Sequence, residues 1–208
     1  VASLLGKLSD SERAELLRNI YYLNMRELHD FCDAHAIPYA IYFESEDGRI
    51  RKSRDADRKG IVIDRIVHFL KTGTIKPRTV FAKSVVRFDL KRSAPAETDR
   101  VFYGEYKDTD VKMLALMKHL SGGKFEAGAI SQEVLRASWT RGEAPTYREF
   151  AKLWLKAREE HTKPNPEWAF LTDRAKGIAG ADWKQLRIRK AAAALALLRR
   201  AIPPVILK

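Results

Sequence analysis

Five histidines and one cysteine are the residues best equipped for metal binding or nucleophilic attack, and their spacing organises neither. His29, His35, His68, His119 and His161 are scattered along the chain. His29 and His35 share one helical stretch but stand six residues apart, which puts them on different faces. The chain contains no His-Glu-x-x-His, no cysteine pair with zinc spacing and no glycine-rich phosphate loop. Cys32 falls on the apolar stripe of its helix, where a thiol is a small core residue rather than a nucleophile. No catalytic residue, metal or cofactor is therefore expected, and the chain reads as a non-enzyme.

The cations carry a stronger signal. Lysine and arginine number 39 against 27 acidic residues, a net charge of +12, unevenly placed. Residues 1–50 are net −4, 51–92 net +9, 93–150 net −1 and 151–208 net +8. Two basic blocks separated by near-neutral stretches suit a polyanion partner. The first block holds Arg49, Arg51, Lys52 and Arg54, then Arg58, Lys59 and Gly60, then Lys76 and Arg78. A second candidate patch joins Trp183 to Lys184, Arg187, Arg189 and Lys190. There an indole could stack on an unpaired base while cations hold the backbone, though the same pattern also describes an ordinary packed tryptophan with a solvated helix face.

The elements that must position these residues read as mainly helical. Ser9 with Glu12, Asn24 with Glu27, and Thr146 with Glu149 are capping boxes. Leu28, Phe31, Cys32 and His35 follow the second box at helical spacing, and Pro38 ends that helix. Asp57 is placed to cap a third helix with Ile63, Ile66, Val67 and Leu70 on its face, stopped at Thr72-Gly73. Further helices are predicted over Asp110 to Leu120, around Ile130 to Trp139, behind Thr146, after Asn165-Pro166, and from about Asp182 to Arg200. Trp139, Trp154, Trp168 and Trp183 each supply one large core anchor, without a repeat. Between the second and third helices, Glu46-Asp47-Gly48 lies between aromatic and β-branched runs, which predicts a short hairpin at about 39–55. The small, polar and proline-containing segment 91–99 reads as a linker.

The two helices around this hairpin resemble the SAP domain, a helix–extended segment–helix module. The resemblance covers about residues 24–73 and rests on Leu28 and Phe31 in the first helix, Arg58-Lys59 before the second, and Arg65-Ile66 within it. It implies DNA binding of low sequence specificity. The hairpin replaces the usual short link between the helices, which either displaces the binding face or adds Arg49, Arg51, Lys52 and Arg54 to it. Independently of the resemblance, the amides and dipole at the start of the third helix, beside Arg58 and Lys59, suit a phosphate oxygen. The stretch at roughly 100–160 is similar to a helical domain that accompanies SAP modules in bacterial proteins, which implies no activity.

These features predict an all-α, mainly helical protein with a short β-hairpin insert. Residues 1–90 would form a small helical module, 91–99 a linker and 100–208 a helical bundle. The longest apolar run, Ala191 to Leu198, is far short of the ~20 residues a membrane span needs. The first residues lack the basic-then-apolar pattern of a secretory signal. A single cysteine suits a reducing compartment, so the expected location is the cytoplasm, on the nucleoid in a bacterium, or the nucleus. The expected partner is DNA, with RNA equally compatible with the pattern. The alternative is an adapter that holds a protein partner on its helices.

Overall fold

Reciprocal caps start the first two helices. The Ser9 hydroxyl accepts from the Glu12 amide while Glu12 accepts from the Ser9 amide, and Asn24 and Glu27 repeat the exchange. Each box satisfies amides that a helix start leaves open. They launch α1 (Asp10–Asn19) and α2 (Met25–Ala34). The structure, a computed structural model, describes residues 3–88, 94–160 and 180–202. His161, Trp168, the helix start expected at Asn165-Pro166 and residues 91–93 of the expected linker lie outside the described residues.

The chain is mainly helical with a small sheet. After α2 come β1 (Ala40–Glu44), β2 (Ile50–Ala56), α3 (Lys59–Thr72) and β3 (Val80–Phe81). Then follow α4 (Val111–Leu120), α5 (Ala129–Thr140), α6 (Tyr147–Glu160) and α7 (Gly180–Ala201). Gly73 closes α3 at φ 67, and Asp110 caps α4 by accepting from the Lys112 and Met113 amides. None of the described helices is long and apolar enough to cross a membrane.

Two local expectations are corrected. The hairpin turns at Gly48, φ 75, as its Asp-Gly pair predicts, but it is not an isolated insert. A third strand joins it in the order β2-β1-β3, with β1 parallel to β3, Tyr42 opposite Val80 and Phe43 opposite Phe81. β3 is two residues long, too short for alternation to show in sequence. Asp57 does not cap α3 either. Arg58 takes the cap position without a side-chain capping bond, while Asp57 is buried with its carboxylate 3.3 Å from the Arg65 guanidinium.

The chain divides into two units that do not follow the 91–99 segment. One comprises Val1–Tyr39, Ala56–Arg78 and Pro164–Lys208, the other Ala40–Asp55 and Thr79–Lys163. The reason lies in which apolar faces find each other. In the first unit, α7 turns Ala191, Ala194, Leu198 and Ala201 into a core with Leu16, Ile20, Leu28, Ile66 and Leu70. Alanines on that face let the α7 backbone come close to its neighbours. In the second unit, Ile41 from the hairpin joins Phe81, Val101, Met117, Trp139, Phe150 and Trp154. The last helix thus belongs with the N-terminal helices, and the hairpin with the residues expected to form a separate bundle.

Arg65 gathers the first unit where the chain leaves and re-enters it. Its guanidinium faces Asp57 and donates to the backbone carbonyls of Lys76 and Pro77. Asp57 in turn donates its amide to the Tyr39 carbonyl at 2.7 Å. Removing one member of a buried pair strands the other's charge. Arg65→Met is expected to destabilise the protein by about 3–5 kcal/mol in chemical denaturation. Ala194→Leu is expected to cost about 1–3 kcal/mol by overpacking α7. A neutral Ala194→Leu would show that α7 is not part of this core.

Candidate nucleic-acid interface

The cations singled out by sequence do not share one role. At the start of α3, Lys59 turns inward and donates its ammonium to the Tyr21 carbonyl. Arg58 and Gly60 are half-buried beside it. Lys76 pairs with Asp64 on α3, and Arg78 is exposed. The second candidate patch is likewise divided. Arg187 donates to the Tyr22 carbonyl at 3.1 Å and pairs with Glu27, while Lys190 donates to the Tyr22 hydroxyl at 2.7 Å. These two side chains fasten α7 to the α1–α2 region, as does Arg200 through Glu12. The Ser9 amide first, then Arg200, hold the Glu12 carboxyl below its usual range. Lys184 and Arg189 face solvent, and the side chain of Trp183 is not among those described.

The hairpin cations lie in the second unit. Arg49, Arg51, Lys52 and Arg54 are all exposed. Strand alternation puts Lys52 and Arg54 on one face of β2 with the exposed Ile50, and Arg51, Ser53 and Asp55 on the other. Asp47 at the turn pairs with Arg51 at 2.9 Å and with Arg49 at 3.7 Å. Bonds from Ser45, the Arg49 amide and Arg51 hold the Asp47 carboxyl down at about 2.

On the Arg51 side stands a feature that the sequence reading missed. Phe88 is 52% exposed, yet its ring is fixed 5.1 Å from Phe43 and 6.1 Å from Tyr103. Tyr103 continues the array inward to Phe81 at 4.9 Å and Trp139 at 5.5 Å. The array is anchored because the Trp139 indole donates to the Val101 carbonyl at 2.9 Å. Gly104 makes the seat for Phe88. Its φ is 98, and a Cβ there would lie 2.5 Å from the Arg87 carbonyl and 2.6 Å from the Phe88 ring. Only glycine suits both the dihedral and the approach.

Two hollows flank Phe88 within this unit. One, about 660 Å³, is bordered by Phe43, Asp47, Arg51 and Arg87. Arg87 is half-exposed and pairs with Glu105 at 3.2 Å. The other, about 250 Å³, is bordered by Asp55, Tyr103, Gln132, Arg136 and Trp139. Tyr103 donates to Asp55 at 2.8 Å, and Arg136 lies 3.5 Å from the same carboxylate. Burial first, with Asp55 adding to it, pushes the Tyr103 hydroxyl up to about 12, so it remains a donor. The available signal for this site was the aromatic density around Gly104, with Phe102, Tyr103 and Tyr106 inside five residues. Its pairing with Phe43 and Phe88 depends on chain segments far apart in sequence.

Among the described residues no group of three His, Cys, Asp or Glu side chains is placed to hold a metal ion. Cys32 is fully buried, and burial pushes its thiol from the ordinary 9.0 up to about 12. At pH 8 that lowers the thiolate fraction about a thousandfold. Cys32 is therefore expected to react with a disulfide reagent at pH 8 only after unfolding in denaturant. Prompt labelling of the native protein would contradict its burial.

Comparison with protein-family models, with curated proteins and with solved structures finds no match to this chain.

Proposed function

We propose that this protein binds nucleic acid with low sequence specificity, holding an unpaired strand against the Phe43–Phe88 face of the second unit. The observation that carries the reading is Phe88, an aromatic ring half open to solvent, packed against Phe43 and Tyr103 between hollows bordered by Arg51, Arg87 and Arg136. A fixed exposed ring beside arginines is a stacking platform, because every base presents a flat face and every linkage a phosphate. Arg49 adds positive charge at the hairpin turn, whereas Lys52 and Arg54 lie on the opposite face of β2. The start of α3, where the SAP resemblance locates DNA contact, is less suited. Lys59 is committed to the Tyr21 carbonyl, and Arg65 is buried.

A labelled twelve-residue oligothymidylate tests this by anisotropy. Phe88→Ala is expected to weaken binding about 5- to 150-fold, which is the ~1–3 kcal/mol typical of one base–aromatic stack. The melting temperature should change little, since the ring is half exposed. If about four phosphates are neutralised on a single strand, the log–log salt slope is expected near −3. Arg58→Glu is expected to bind within about twofold of the native chain. A larger loss from Arg58→Glu than from Phe88→Ala would return the site to α3, and no binding at low salt would reject the reading.

A further inference from the structure

The hollow behind Phe88 has a polarity that the stacking face does not need. We infer that it receives one extruded base of the bound strand and selects guanine. The inference rests on the nucleic-acid reading above and goes beyond it by assigning a base preference.

Three observations support this. The hollow, at about 250 Å³, falls just below the roughly 300–1,000 Å³ of clefts that hold drug-sized ligands, and its walls include the rings of Phe88, Tyr103 and Trp139. That is room for about one ring system against an aromatic wall, in which Phe88 and Tyr103 meet edge-on at 6.1 Å. Its polar groups are also arranged as acceptor beside donors. Asp55 is fixed by the Tyr103 hydroxyl at 2.8 Å and by Arg136 at 3.5 Å, yet its side chain keeps 41% of its surface open. A carboxylate offers about four lone-pair positions, so acceptor capacity remains. Finally, the Gln132 side chain borders the hollow and makes no hydrogen bond among the described residues.

The choice of base follows from edge chemistry. Guanine presents two adjacent donors, N1–H and the N2 amino group, next to the O6 acceptor. The two donors match a carboxylate, and O6 matches an arginine or amide donor. Adenine and cytosine each offer one donor group on that edge, and thymine one N–H between two carbonyls. A base removed from its stack is read through such edge contacts together with aromatic packing.

The test compares oligothymidylate with the same strand carrying one central guanine, adenine or cytosine. The guanine strand is expected to bind about tenfold or more tightly than the all-thymine strand, within the range of a good two-bond base contact. Asp55→Asn and Gln132→Leu are expected to reduce that preference, each leaving all-thymine affinity within about twofold. Gln132→Leu serves as the second variant because Asp55→Asn also alters the Tyr103 bond, and melting temperatures identify any variant that fails to fold. Equal binding of all four strands, an equal gain from adenine or cytosine, or a guanine preference that survives both variants would overturn the inference while leaving the nucleic-acid reading intact. Binding of none of the strands would overturn both.

Discussion

Arg65 is the side chain around which the first unit closes. It reaches from the middle of α3 to Asp57 just before that helix and to the Lys76 and Pro77 carbonyls beyond it. Asp57 extends the link to the Tyr39 carbonyl. Both ends of the stretch Ala56–Arg78, and through Asp57 the end of Val1–Tyr39, are thereby tied to a planar, permanently charged fork that presents several donors at once. Desolvating such a pair is costly, and what it supplies is geometry: a buried guanidinium accepts few alternative arrangements of its neighbours. The contact thereby holds the end of Val1–Tyr39 beside both ends of Ala56–Arg78, two of the three stretches that build the first unit.

The same structure separates cations that look equivalent in composition. Lys59, Arg65, Arg187 and Lys190 end on carbonyls, carboxylates or a phenol of the first unit. Lys190 also stands over the Tyr22 ring at 4.1 Å, where the ring's negative face adds to the attraction. Part of the chain's positive charge thus fastens helices. What distinguishes the second unit is the exposed Phe88 ring packed beside several arginines.

The position of the Phe88 ring has a traceable origin. Val101 receives the Trp139 indole proton, Tyr103 exchanges backbone bonds with Val85 and Arg87, and Gly104 leaves room for the Phe88 ring. These contacts link the exposed ring to the core beneath it.

Much of the local structure was legible in residue order. Capping boxes at Ser9, Asn24 and Thr146, glycines at 48 and 73, and apolar spacing in α2 and α3 each act over a few residues, where dihedral preference and one hydrogen bond decide the outcome. The burial of Cys32 followed from its helical stripe for the same reason. The assignment of α7 to the first unit and of the hairpin to the second was not legible, because an amphipathic face specifies that it must be covered and not by what. Whether a given arginine binds inward or outward is equally a matter of which carbonyl or carboxylate arrives beside it. The sequence by itself therefore determined the helices, the turn and the excess of positive charge. Only the tertiary structure decided which cations remained exposed and brought Phe43, Phe88 and Tyr103 together, because those choices rest on contacts between residues tens of positions apart.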